Sequence, residues 1–140
     1  MTPEFPYVLL ADDDPDDRHF FSVGMQRLYP DVSFRLFEDG EPLLDYLNDC
    51  TWAALPGCII LDYKMPRLTA PQLLRMTGPG TRYAHIPKMV WSTSQRKKDM
   101  DDCLVLGAAR FELKPETDAG LDELIRTLGC WICKSRTPGS

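Results

Sequence analysis

The sequence predicts an α/β fold, a doubly wound parallel sheet of five strands with five helices, and three observations carry that prediction. Short apolar runs alternate with segments of helical spacing along the chain, two of the runs are apolar at nearly every position, and polar or charged residues follow the runs. At 140 residues, 44% of them hydrophobic and 26% charged, the chain has the length and composition of a single soluble domain with its own core.

The first strand is expected over Tyr7–Ala11, where Val8, Leu9 and Leu10 leave no polar face, so it belongs at the centre of the sheet. Asp14-Pro15 then reads as an acidic N-cap with proline at the first helical position, opening a helix over Asp16–Leu28 whose Asp16 and Asp17 suit the helix dipole. A second strand, Val32–Phe37, and a helix, Glu41–Cys50, follow. Gly57–Leu61, with the run Cys58-Ile59-Ile60-Leu61, is the second central strand, and Ala70–Met76 is a short helix after it.

The fourth strand is Lys88–Trp91 and its helix Arg96–Leu106, where Lys97 and Lys98 stand against the dipole. They read equally as a solvated helix face or as a contact for an acidic partner. Ala109–Leu113 is the fifth strand. The last helix, Ala119 to about Cys133, repeats Leu121, Leu124, Ile125, Leu128, Trp131 and Ile132 at helical spacing, wide enough for one side to face the sheet, with Trp131 open to a second subunit. One domain over residues 7–133 and a disordered tail over 134–140 are expected.

The net charge of -5 argues against a nucleic-acid or anionic-lipid surface, and no apolar run reaches the ~20 residues of a membrane span. The N-terminus lacks the pattern of a signal peptide, so a cytoplasmic address is expected. Five scattered cysteines fit reduced thiols better than a disulfide framework. Cys130 and Cys133 form a single C-x-x-C without the second pair that structural zinc requires.

In such sheets function collects beyond the carboxyl ends of the strands, and the residues there are Asp12, Asp39, Asp62, Ser92 and Lys114. Asp12 to Asp17 holds five acids, whose repulsion calls for a cation; Mg2+ takes one or two protein carboxylates and completes its shell with water and phosphate oxygens. Asp12 and Asp13 are the expected ligands, Asp14 the helix cap, and Asp16 and Asp17 structural. Asp62, at the tip of the most apolar run, can act as a nucleophile on phosphorus if a metal and an ammonium neutralise the charge; taken alone it fits a loop cap equally well. A lone strand-end lysine is usually solvated, but the acids at the same edge make Lys114 a phosphate-binding charge, and Pro115 after it allows a cis bond that would aim it.

These residues resemble the receiver domain of bacterial response regulators in two-component systems, a flavodoxin-like fold, over roughly Tyr7 to Cys133. In that family an acidic pair follows strand one, a phosphoacceptor Asp ends strand three, Ser or Thr ends strand four, and Lys-Pro follows strand five; Asp12 with Asp13, Asp62, Ser92, and Lys114 with Pro115 stand in those places. The resemblance implies a stand-alone, chemotaxis-regulator-like signalling domain rather than an enzyme in the ordinary sense. It would take a phosphoryl group onto Asp62 from a phosphohistidine of a sensor kinase or phosphotransfer protein, with Mg2+ on Asp12, Asp13, Asp62 and the carbonyl of Lys64, and lose it slowly. It further implies a Ser92 and Phe111 switch that remodels the face of helix four, strand five and helix five, where a downstream protein or a second copy docks. Two positions depart from the pattern: Ala70 replaces a customary glycine, so the turn there is expected to differ, and Trp91 is larger than the usual aliphatic residue, altering packing beneath the switch.

Other readings are weaker. Asp12-x-Asp14 is the start of a haloacid-dehalogenase-type phosphatase motif, but Pro15 and Asp16 do not continue it and the chain leaves no room for a cap domain. A receiver-like binding module without phosphorylation is argued against by the presence of every reacting residue. An EF-hand loop starting at Asp12 would need Gly and Glu where Asp17 and Val23 stand. His19 and His85 are poor phosphodonors.

Overall fold

The computed structural model describes residues 6–94 and 96–135, with side chains to residue 132. Among these residues the order is β1 (Val8–Ala11), α1 (Pro15–Leu28), β2 (Phe34–Phe37), α2 (Gly40–Asp49), a 3-10 turn (Trp52–Ala54), β3 (Cys58–Asp62), α3 (Ala70–Met76), β4 (Lys88–Ser92), α4 (Lys97–Val105), β5 (Arg110–Leu113) and α5 (Asp118–Ser135). The strands form one parallel sheet in the order β2-β1-β3-β4-β5. This is the flavodoxin-like doubly wound order, whose reversal falls between β1 and β3.

The two-residue period of the strands explains the core. Leu9, Ile59, Leu61, Val90 and Phe111 bury one face with residues of α2, α3 and α4. Val8, Leu10, Cys58, Ile60, Met89 and Trp91 bury the other with Phe21 and Met25 of α1 and Leu121, Ile125 and Leu128 of α5. Every residue of β1, β3 and β4 is buried, as the continuous apolar runs require. The helices α1 and α5 approach closely at Gly24, where a Cβ would lie 2.6 Å from Ile125 Cδ1. On the opposite face α4 ends in a Schellman motif: Gly107 takes φ 110°, its N–H reaches Leu104 O, and the N–H of Ala108 reaches Cys103 O at 3.0 Å.

Small shifts separate expectation from structure. The third and fourth strands each extend one residue further, so Asp62 and Ser92 are the last ladder residues rather than the first loop residues. Val32 belongs to a turn, its N–H bonded to Tyr29 O, and Phe34 begins β2. The last helix continues to Ser135, past Cys133; residues 136–140 of the expected tail, and the Cys133 side chain, lie outside the described residues. Ala70 is the first residue of α3 behind a Thr69–Gln72 capping box, and it does not take positive φ, so that turn needs no glycine. No helix among the described residues is long and apolar enough to cross a membrane.

One buried charge tethers the entry to β4. Lys88 is 3% exposed, and its ammonium donates to the carbonyl oxygens of Thr77, Tyr83 and Ile86 at 3.0, 2.8 and 3.0 Å. Burial pushes this amine down to about 8. The three acceptors bind the α3–β4 connection to the first residue of β4 and so locate the strand that ends in Ser92.

Candidate functional site

Asp12 follows the last residue of β1, and its amide N–H extends the ladder to Phe37 O at 2.9 Å, which leaves the carboxylate rigid at the switch point of the sheet. It is fully buried. Its Oδ1 accepts from Asp14 N at 2.9 Å, while Oδ2 faces the Lys114 ammonium at 3.0 Å without hydrogen-bond alignment. Arg18 of α1 donates to the Asp12 carbonyl oxygen at 2.7 Å and fixes the backbone of the acidic loop.

Asp14 caps α1, accepting from Asp16 N, and Pro15 occupies the first turn, as the dipeptide predicted. That role keeps Asp14 out of the cluster, so no Asp12–Asp14 pair of the phosphatase kind forms. Asp12, Asp13 and Asp62 each bring a carboxylate oxygen to within 4.8 Å of the others. Asp12 and Asp62 are buried and Asp13 is exposed.

Lys114 comes from beyond β5. Its N–H bonds to Ser92 O at 2.7 Å, continuing the ladder one residue past the strand. The bond to Pro115, where the sequence allowed either isomer, is trans. The ammonium lies 2.8 Å from Asp17, 3.0 Å from Asp12 and 3.2 Å from Asp62. One cation therefore serves three carboxylates, with Asp13 alongside as a fourth.

The electrostatics follow from that excess. Burial and the neighbouring Asp12 charge push Asp62 up to about 7, although Lys114 opposes the shift. Asp12 is raised as well, chiefly by burial against the counter-effect of Asp14 N–H and Lys114. Burial alone would lower Lys114, but the bonds to Asp17 and Asp12 outweigh it and hold the amine above its ordinary value. An Asp12 oxygen that meets only the Lys114 ammonium among the described residues, beside the carboxylates of Asp13 and Asp62 in net negative surroundings, fits a small divalent cation such as Mg2+.

Ser92 is buried at the end of β4, its Oγ accepting from Ser94 N at 3.1 Å. Phe111 is buried on the α4 face, its ring 5.9 Å from that of Tyr63, the residue after Asp62. Trp91 lies on the other face, against Phe21, so the large ring does not pack beneath Phe111.

Two expectations change. Asp39 stands at the same sheet edge but is not part of the cluster: it caps α2 through Glu41 N and accepts from Arg67 N and Leu68 N at 3.0 and 2.8 Å. Burial would raise its carboxyl, yet these N–H groups overcome it and hold it below the ordinary range. Asp39 thus anchors the loop that carries Lys64 and Met65. Asp17, expected only to suit the helix dipole, is the nearest carboxylate to Lys114 among the described residues; the two are 97 positions apart, and no local pattern links them. Lys97 and Lys98 pair along their own helix with Asp101 and Asp102 at 2.9 and 3.5 Å and remain exposed to solvent.

No family model matches the chain. The two-component response regulator ORR5 of rice (Oryza sativa subsp. japonica) is 31% identical over 121 residues, 85% of each chain. The response regulator RPA3017 in red light signaling of R. palustris superposes with a TM-score of 0.80 at 26% identity, over 96% of this chain and 99% of that one. The chemotaxis response regulator CheY4 of Vibrio cholerae shares the fold at a TM-score of 0.74 and 20% identity, over 91% and 98%. With its aspartates at the β1–β3 switch point and a relative of this identity and coverage, the chain belongs to the two-component response regulators and has the fold of their receiver domain.

Proposed function

We propose that Asp62 accepts a phosphoryl group from a phosphohistidine of a sensor kinase or a phosphotransfer protein. The observation that carries this reading is the placement of Asp62: a buried strand-end carboxylate 3.2 Å from Lys114 and grouped with Asp12 and Asp13 at the switch point. An Asp62 oxygen attacks phosphorus in line with the donor nitrogen, the P–N bond breaks, and its electron pair leaves on the imidazole. The product is an acyl phosphate on Asp62, later hydrolysed by water.

Asp12, Asp13, Asp62 and the carbonyl of Lys64 are the groups that would hold Mg2+, which when bound offsets the charge of the phosphoryl oxygens. Lys114 pairs with one of those oxygens, leaving its present partners in part. The Ser92 hydroxyl donates to another and gives up its contact with Ser94 N. Pro115 ends the ladder directly after Lys114.

The readout is proposed on α4, β5 and α5. Tyr63 joins the acceptor to that face, since its ring meets Phe111 and its hydroxyl faces Asp99 of α4. Leu104, Val105 and Leu113 are exposed there, an apolar surface for a downstream protein or a second copy. A cytoplasmic place beside the kinase fits this role. Incubation with acetyl phosphate and Mg2+, followed by intact mass and peptide mapping, tests the reading: one phosphoryl group on Asp62 is expected, and an unmodified chain overturns it.

A further inference from the structure

We infer that Trp91 is a positioning residue whose indole face holds the Lys114 ammonium over the end of β4. This deepens the reading of Asp62 as the acceptor and rests on it for its functional consequence. The geometry comes from the sheet. In the order β1-β3-β4-β5, a lysine leaving β5 must cross the end of β4 to reach carboxylates on β3 and β1. Trp91 is the β4 residue directly opposite Asp62 in the register, so the two side chains share a face. The ammonium crosses there, 5.6 Å from the centre of the Trp91 ring.

Two further facts make the ring more than filling. An ammonium on four methylenes, with three carboxylates between 2.8 and 3.2 Å, has no single preferred partner, and a flat π surface on one side restricts where it can sit. The indole is also a costly way to fill this layer. It is 1% exposed and its Nε1–H has no hydrogen-bond partner among the described residues, a penalty that an aliphatic side chain would avoid. Phe21 meets the ring edge-on at 6.2 Å and fixes its plane. When Asp62 carries a phosphoryl group, Lys114 therefore transfers from carboxylate to phosphoryl oxygen by sliding over a fixed surface, without a search through solvent.

The test joins a spectroscopic and a kinetic measurement. In carbon–proton spectra of lysine-labelled protein, with the signal assigned by Lys114→Arg, the ε-methylene protons of Lys114 should be displaced upfield by the ring current. They should return to the ordinary lysine position in Trp91→Leu and stay displaced in Trp91→Phe. Labelling of Asp62 by acetyl phosphate with Mg2+ should slow by about threefold or more in Trp91→Leu, with Trp91→Phe clearly faster than Trp91→Leu. An undisplaced Lys114 signal in the natural sequence overturns the inference even if Trp91→Leu does not fold. So does slowing of less than about threefold in Trp91→Leu, or equal rates in the two variants. A displaced signal in a chain that is never labelled supports the placement of the ammonium and refutes the acceptor reading, so the two fail separately.

Discussion

The Lys114 ammonium lies closer to Asp17, at 2.8 Å, than to Asp62, at 3.2 Å. The cation that would serve the phosphoryl group is thus shared between the first turn of α1 and the strand ends, and Asp17 joins the first and last thirds of the chain. Asp17→Asn removes one partner but leaves the ammonium with Asp12 and Asp62. The expected loss is about 1 kcal/mol, because the pair is partly solvated. Lys114→Met instead leaves buried carboxylates without a cation and should cost about 2 kcal/mol or more, part of it recovered on adding Mg2+. Urea denaturation with and without the metal compares the two variants.

Asp62→Asn should abolish labelling by acetyl phosphate, because the amide keeps the shape of the side chain and lacks the nucleophilic oxygen. Peptide mapping of the labelled natural chain should place the group on this residue. Undiminished labelling in the variant would assign the acceptor elsewhere.

Mg2+ should raise the melting temperature, since a ligand that binds only the folded state stabilises it by mass action, and chelation should reverse the gain. Asp13→Ala takes away the most accessible carboxylate of the cluster while leaving the buried pair in place. The midpoint of a Mg2+ titration, followed by thermal shift, should move to higher concentration by about tenfold. An unmoved midpoint places the metal elsewhere.

Asp39→Ala should release the loop after β3, because three backbone N–H groups lose their acceptor, at a cost of about 1–3 kcal/mol. The carboxyl is held below its ordinary value in the folded chain, so its stabilisation is present above an ordinary carboxyl pKa of about 4 and is lost as pH falls. Stability curves of the natural chain and the variant should converge in acid. Hydrogen exchange at Arg67 and Leu68 should quicken in the variant at neutral pH.

Lys88 gives the opposite slope. Its folded value of about 8 lies below the ordinary 10.5, so between those two the unfolded chain binds more protons and the natural sequence gains stability as pH rises. Lys88→Met lacks this gain and leaves three carbonyls unpaired, so the stability gap between the two proteins should widen above pH 8. The buried thiols of Cys58 and Cys103, raised to about 12 and 11, pull the other way in both proteins and cancel in the comparison. Denaturant midpoints measured in steps from pH 7 to 10 read the gap.

The sheet, its two central strands and the residues that stand at its carboxyl edge were legible from local pattern. Val8 to Leu10 and Cys58 to Leu61 carry no polar face, and only a strand covered on both sides accommodates that. Asp14 before Pro15 reports its own cap, because capping needs nothing beyond four neighbouring residues. Ordered strand ends then bring Asp12, Asp62, Ser92 and Lys114 to one edge wherever the strands lie. Local pattern did not reveal which neighbours at that edge touch. Asp39 looked equivalent to Asp12, but the strand order puts it beyond β1, where the β3–α3 loop supplies it with N–H donors instead of a cation. Asp17 looked like a helix-start acid, yet α1 turns it toward a lysine 97 positions away. The floor that Trp91 makes for that lysine exists only because β4 lies between β3 and β5. Sequence decides what each strand end offers, since that depends on a few adjacent side chains. Tertiary structure decides which offers meet, since hydrogen bonds and ion pairs act over a few ångströms between segments that the chain itself keeps far apart.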